Sequence, residues 1–168
     1  MKHIIKFGLL FFCANLLFAQ TTPRVFERGG NFSYRPPANW TVTEFPGLMY
    51  RVVFGPSEGG FTANINFVTE TFDGNLNNYV DANLSQLPVF FYQYRLLERG
   101  EFITNSGNVG ERVVVSNVQN GNALRQIFYF FQLSRNNFIV ITCSVLDIAS
   151  SRLVPIFDES IKTFEIIN

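Results

Sequence analysis

The sequence predicts an α+β protein, an α/β/α sandwich in which a central antiparallel sheet of about six to eight strands carries helices on both faces. Two segments, 76–87 and 153–164, place apolar residues at helical spacing. Two others, 127–131 and 138–145, are apolar on both faces, as expected for central strands that are covered on both sides. Each of the two helices can bury its apolar side against one apolar face of the sheet. A three-layer arrangement of helix, sheet and helix therefore covers both faces.

The first third of the predicted domain reads as short strands separated by turns. We expect strands at 24–28, 31–35, 41–45 and 48–54. Pro36 and Pro37 should end the second strand, because proline cannot donate to a sheet ladder. Trp40 should then pack under the sheet edge. Pro46-Gly47 predicts a turn, and Gly55-Pro56-Ser57 should end the fourth strand.

In the middle of the chain, the spacing of apolar residues changes from that of a strand to that of a helix. Residues 61–69 alternate apolar and polar side chains, which is typical of a half-buried strand. A helix follows, with Asp73 or Asn75 as its N-cap, and Pro88 either ends or kinks it. The apolar stripe of this helix consists of Leu76, Tyr79, Val80, Leu84 and Leu87.

The second half of the chain predicts four more strands and a last helix. The strands are 94–104, 112–119, 124–133 and 138–145. Asn120-Gly121 indicates a type I′ hairpin, and 135–137 a second hairpin. Residues 147–151 offer capping groups for a helix that carries Leu153, Phe157, Ile161 and Phe164. Pro155 should lie in its first turn, and 164–167 should close with a short strand.

Residues 1–19 have the pattern of a secretory signal peptide. Lys2 and Lys6 precede the apolar run 7–18, and cleavage near Ala19 is expected. The run is shorter than the ~20 residues of a membrane-spanning helix. We therefore expect export to the periplasm or the extracellular space, no stable membrane span after cleavage, and one domain at 20–168. An uncleaved anchor and lipid attachment at Cys13 are the alternatives.

The composition of the mature chain excludes several kinds of site. The only histidine, His3, leaves with the signal, so a Ser-His-Asp triad or a histidine-ligated zinc site cannot form. Cys143 is then alone and reads as a small buried hydrophobe. Of 13 basic residues, Lys2 and Lys6 are lost, so 11 face 13 acidic ones and the net charge is about −2. We expect no nucleic-acid partner, no metal and no cofactor.

Several motifs of the chain resemble the PsbP-like proteins, including the bacterial DUF1795 group. The first is a pattern of Phe32, Tyr34, Pro37 and Trp40 that opens the sheet. Others are the helix 76–87, Tyr94-Arg95-Leu96-Leu97, Gly110-Glu111-Arg112-Val113, and the C-terminal Pro155-Ile156-Phe157 with Ile161 to Phe164. Together they span residues 24–167, and each motif is weak alone.

The resemblance implies a PsbP-like α/β/α sandwich and a role that is mostly noncatalytic. Members include photosystem accessory subunits, envelope lipoproteins and relatives that bind a small GTPase. Their binding surfaces differ, so no site is carried over to this chain. We therefore expect a monomeric exported protein that is not an enzyme and that binds a protein partner in the cell envelope, as an accessory to an envelope or membrane-associated assembly.

Two predicted loops carry apolar residues that core packing does not require. They contain Phe45, Leu48 and Met49, and Phe90, Phe91 and Tyr92. Both are candidates for an exposed patch that contacts a partner. The alternative is a carrier of an apolar small ligand, held between the sheet and the helical region 76–91.

Three further hypotheses are weaker on the residues. The pairs Asp158/Glu159 and Glu98/Glu101 could indicate a hydrolase, but no aromatic cleft pattern accompanies them. Asp73 to Asn77 resembles half of a calcium loop, and helix capping explains it better. A small outer-membrane barrel would need strands that alternate, whereas 127–131 and 138–141 do not.

Overall fold

A computed structural model describes residues 22–167 of the protein, and the predicted signal segment 1–19 lies outside these residues. The described chain forms ten strands and two α-helices. They are β1 (Val25–Glu27), β2 (Phe32–Tyr34), β3 (Thr41–Thr43), β4 (Val52–Glu58), β5 (Phe61–Thr71), α1 (Leu76–Phe90), β6 (Tyr92–Ile103), β7 (Val109–Gln119), β8 (Asn122–Ser134), β9 (Asn137–Leu146), α2 (Ser150–Lys162) and β10 (Glu165–Ile166). Short 3₁₀ turns occupy Arg28–Gly30 and Asp147–Ala149.

The strands form one large and one small antiparallel sheet. The large sheet has seven strands in the order β3-β4-β5-β9-β8-β7-β6, and the small sheet has the order β1-β2-β10. The α+β class, the size of the sheet and its antiparallel pairing are confirmed. The small sheet is an additional feature. It joins the two ends of the domain, because Glu165 pairs with Ser33.

The large sheet is buried on both faces at its centre, as the two-sided apolar runs predict. Along β8, Ile127 and Tyr129 face one core, whereas Phe128 and Phe130 face the other. The first core contains Leu153, Phe157 and Ile161 of α2 and also side chains of the small sheet. The second contains Tyr79 and Val80 of α1. Helix α1 therefore covers one face, and α2 with the small sheet covers the other.

The predicted helix stripes and caps agree with the structure in most positions. The Asn75 carboxamide oxygen accepts a hydrogen bond from the Asn78 amide at 2.9 Å and caps α1. Helix α1 continues through Pro88 to Phe90. Helix α2 differs from the prediction, because no side chain caps its start and Pro155 lies in its second turn. The carbonyl that Pro155 leaves without a donor belongs to exposed Ser151, where water can reach it.

The predicted hairpins are confirmed, and one predicted strand is shifted. Asn120 and Gly121 both have positive φ, at 50° and 81°, as a type I′ turn requires. The strand expected at 48–54 begins only at Val52 and runs through Gly55 to Glu58. A bulge between Phe54 and Ser57 lets the pairing with β5 continue. The start is late because Tyr50 turns into the core, where its ring packs 5.1 Å from Phe32.

Candidate functional site

The two predicted apolar segments lie at the surface, with one exception. Met49 is 78% exposed, and Phe45 and Leu48 are about half exposed. Phe90 and Tyr92 are 73% and 69% exposed. Phe91 instead packs against the core under α1. Phe45, Leu48, Met49 and Phe90 line grooves near one edge of the large sheet. Tyr92 does not join them, because it begins β6 at the opposite edge of the sheet.

That edge is formed by the C-terminal half of β5. The pairing of β5 with β4 ends at the pair Ile65 and Val53. The pairing of β5 with β9 on its other side continues to Thr71 and Asn137. Between these limits, residues 67–71 have a neighbouring strand on one side only. We call this stretch the free edge of β5.

The free edge exists because the chain before β4 leaves the plane of the sheet. The Arg51 guanidinium donates to the Glu27 carboxylate at 2.8 Å and to the Phe26 carbonyl at 2.9 Å, both on β1. The Tyr50 hydroxyl lies 3.0 Å from the Thr69 hydroxyl. These contacts pull residues 50 and 51 toward the small sheet, so they do not pair with β5.

Two open grooves follow this edge, and a third adjoins the first of them. Groove A, about 610 Å³, lies between the small sheet and the end of the large sheet. Groove B, about 710 Å³, lies between β5 and α1, with Phe90 in its lining. Groove C, about 480 Å³, is bordered by Phe45, Leu48 and Met49. Grooves A and B share Thr69, Glu70 and Thr71, whereas A and C share Met49 and Tyr50.

The lining of the three grooves is acidic. Its charged residues are Glu27, Glu44, Glu70 and Arg51. The Arg51 charge is compensated by Glu27. The carboxylate of Glu70 accepts a hydrogen bond from the Tyr79 hydroxyl at 2.6 Å. Burial and this hydrogen bond raise the pKa of Tyr79, so the hydroxyl stays protonated and Glu70 keeps its donor.

A polar cluster joins α2 to the sheet, on the face opposite to that covered by α1. The Asp158 carboxylate accepts hydrogen bonds from the Tyr129 hydroxyl at 2.6 Å and from the Arg112 guanidinium at 2.8 and 3.3 Å. Arg112 also donates to Glu98 at 2.8 Å. Burial is the main cause that raises the pKa of Tyr129, and the neighbouring Asp158 carboxylate adds to it. Asp158 and Glu98 are thus bridged by one arginine, while Glu159 contacts Lys162.

The other residues that were considered as functional sites contribute to the fold. Cys143 is fully buried in the core under α2, and burial raises the pKa of its thiol. In the loop 73–77, Asn75 is the cap of α1. Within residues 22–167, no group of three or more acidic, histidine or cysteine side chains is placed to hold a metal ion. No helix in the same range is long and apolar enough to cross a membrane.

The sequence identified the apolar residues around the free edge but missed the edge itself. Thr69 to Thr71 read as the plain end of a strand, and nothing local shows that they lack a second partner. The free edge becomes visible only in the structure, where β5 is longer than β4. The former has 11 residues and the latter seven, so β4 cannot cover β5 completely.

Several solved structures share this fold at low sequence identity. LpqN of Mycobacterium tuberculosis, described as involved in cell envelope biogenesis, matches with a TM-score of 0.64 and 12% identity over 82% of this chain and 83% of its own. Cyanobacterial PsbP (CyanoP) of Synechocystis sp. PCC 6803 matches with a TM-score of 0.62 and 14% identity over 95% and 99%. The Ran-binding protein Mog1p of Saccharomyces cerevisiae matches with 0.59 and 13% over 87% and 95%.

These likenesses establish the fold alone, because all three identities are below 25%. The chain has the fold of PsbP and Mog1p, as the sequence resemblance predicted. No family model and no curated protein matches the sequence.

Proposed function

We propose that the protein is an exported, noncatalytic binding protein that supports an envelope or membrane-associated assembly. One observation carries the proposal: exposed apolar side chains from two distant segments border connected grooves at one sheet edge. Met49 and Phe90 lie 41 positions apart in sequence, yet both line grooves that share Thr69 to Thr71. Apolar side chains collected around one depression are typical of a surface that contacts another protein.

The structural likenesses support the same role. One likeness is to a protein involved in cell envelope biogenesis and another is to a Ran-binding protein. The predicted signal at 1–19 would place the mature chain in the periplasm or outside the cell. Membership in the DUF1795 group is part of this proposal.

The noncatalytic part of the proposal is supported by the state of the reactive side chains. Asp158 and Glu98 bind the same guanidinium, and the Cys143 thiol is buried and favours its protonated form. A general acid or base must be free to contact a substrate. Asp158 instead attaches α2 to the sheet, and Glu98 binds the same arginine from β6.

The carrier alternative is less well supported by the grooves. A carrier of an apolar ligand encloses most of its cargo in a pocket of ~300–1,000 Å³. The grooves described above have such volumes, from about 480 to about 710 Å³, but they are open to solvent. A protein surface can cover an open groove, whereas a small apolar ligand bound there would remain partly exposed to water.

The test is capture of a partner from an envelope extract by the tagged protein. We expect the double variant Met49→Ala, Phe90→Ala to lose at least about tenfold of the captured partner, since these two side chains line the connected grooves and a few anchor residues carry most of the energy of an interface. Both residues are exposed, so thermal unfolding should stay close to wild type. Phe91 is left unchanged because it packs in the core.

Ile148→Ala is the matched control. Ile148 is 78% exposed and is absent from the linings of the three grooves. Equal capture by wild type and by both variants would contradict the proposal. A small apolar molecule seen by native mass spectrometry in place of a protein would favour the carrier.

A further inference from the structure

The free edge of β5 presents unpaired backbone groups in a defined direction. The Phe72 amide donates to the Asn136 carbonyl at 2.9 Å, in the same register as the ladder of β5 and β9. In an antiparallel ladder, residues alternate in the side to which their N–H and C=O groups point. Even-numbered residues therefore bond to β9. Phe67, Thr69 and Thr71 direct their backbone groups to the free edge.

The surroundings of the edge fit an added strand. Successive side chains of a strand point to opposite faces of its sheet. Groove A lies on the face of the small sheet, and groove B lies on the face of α1. A chain paired with residues 67–71 would direct alternate side chains into these grooves. One set would meet Met49 and Ile167, and the other would meet Phe90.

The other edges of the large sheet are protected against pairing. The outer strand β6 has irregular register between Tyr92 and Arg95 and again between Leu96 and Glu98. It also carries the charged residues Arg95, Glu98, Arg99 and Glu101. Bulges and charges are the devices that prevent an edge from adding strands. The opposite edge, β3, has three residues. Residues 67–71 pair with β9 without a bulge and carry one charge, that of Glu70.

The negative charge of the groove linings favours a bound segment that carries basic side chains. Glu27, Glu44 and Glu70 outnumber Arg51 in the linings. A basic side chain of a bound segment would therefore meet a carboxylate at groove B or C. Apolar side chains would meet Met49 and Phe90.

We propose that the free edge of β5 binds an extended peptide segment of a partner protein by strand addition, and that this segment combines alternating apolar residues with lysine or arginine. The inference rests on the proposed binding function and specifies its partner. Main-chain hydrogen bonds supply affinity in this mode, and the grooves for alternate side chains supply specificity. About five residues of the segment would pair, to match residues 67–71.

The experiment selects binders from a phage-displayed library of linear ten-residue peptides on the purified protein. We expect enriched peptides to alternate apolar residues and to contain lysine or arginine. Hydrogen exchange with and without the strongest synthetic peptide should show slowed exchange of the amides of Phe67, Thr69 and Thr71. The peptide affinities are then measured by fluorescence polarisation.

Thr69→Pro and Thr69→Ala form the decisive pair. Both lose the side-chain contact with Tyr50, but only proline removes the amide that faces the edge. We expect the proline variant to bind at least tenfold more weakly than the alanine variant. Glu44→Gln should weaken basic peptides about two- to fivefold, as for a surface charge pair.

Any of the following outcomes would overturn the inference. One is exchange protection outside 67–71, or equal affinities of the two Thr69 variants; if the proline variant does not fold, the wild-type exchange pattern decides. Another is a failure to enrich any peptide. The third is a wild-type dimer that Thr69→Pro dissociates, because the occupant would then be a second copy. In each case, capture of a partner that depends on Met49 and Phe90 would leave the proposed function standing.

Discussion

The two faces of the seven-stranded sheet are covered in different ways. On the face of α2, the helix and the small sheet together close a core rich in aromatic rings, in which Phe32, Phe157 and Phe164 are fully buried. On the face of α1, one helix covers a smaller cluster around Tyr79 and Phe138. Groove B runs directly beside that helix.

We interpret this difference in covering as a division between a face that mainly stabilises the fold and a region that remains free for binding. The α2 face uses most of its apolar side chains for packing, and groove A lies only at its border with the free edge of β5. The α1 face and the neighbouring edge keep exposed apolar residues, among them Phe90, at positions where the fold does not require them. A surface that binds partners is expected where packing is incomplete.

The strongest test of this comparison replaces one buried phenylalanine on each face. Phe157→Ala should lower the free energy of unfolding by about 4–5 kcal/mol, since it empties a site enclosed by Trp40 and the sheet. Phe138→Ala should cost about 3 kcal/mol, because the single helix above it can move into the space. Urea unfolding of both variants measures the difference. Equal losses, or a larger loss for Phe138→Ala, would contradict the comparison.

Replacing the carboxylates that attach each helix to the sheet should change the free energy of unfolding by less. Asp158 of α2 accepts three hydrogen bonds at a half-buried position, so Asp158→Asn should cost about 2 kcal/mol. Asp81 of α1 meets Arg99 at the surface, where the carboxylate side chain is 62% exposed. Asp81→Asn should cost about 0.5 kcal/mol. The same unfolding measurement compares them, with Glu159→Gln, which removes only the exposed contact with Lys162, as a reference for a weak surface ion pair.

The sequence predicts those elements whose pattern is local. The alternation in 61–69 predicts β5, the spacing of Tyr79 and Val80 predicts the buried stripe of α1, and Asn120-Gly121 predicts the hairpin. Each signal rests on residues within about a dozen positions. The fold class then follows from the layers that these elements require.

The parts that the sequence did not predict depend on contacts between distant residues. The late start of β4 results from Tyr50 packing on Phe32 and from Arg51 bonding to Glu27. The small sheet requires that Glu165 meet Ser33. The free edge is a consequence of the first of these contacts. It could not be found until the position of β4 beside β5 was known.

The predicted effects of removing a buried tyrosine hydroxyl have opposite signs on the two faces. The Tyr34 hydroxyl is buried on the α2 face and has no hydrogen-bond partner within residues 22–167, whereas the Tyr79 hydroxyl on the α1 face donates to Glu70. An unpaired buried hydroxyl costs about 1 kcal/mol or more, so Tyr34→Phe should stabilise the protein by about 1 kcal/mol. Tyr79→Phe should destabilise it by about 1.5 kcal/mol, because a bond to a charged acceptor is lost.

Urea unfolding of the two variants at pH 7 measures this reversal. Both substitutions remove one oxygen and keep the ring, so differences in packing volume are small and the sign reports the hydrogen bond. Destabilisation by Tyr34→Phe would show that its hydroxyl has a partner, such as a buried water. The contrast between an unpaired hydroxyl in the α2 core and a paired hydroxyl under α1 would then fail.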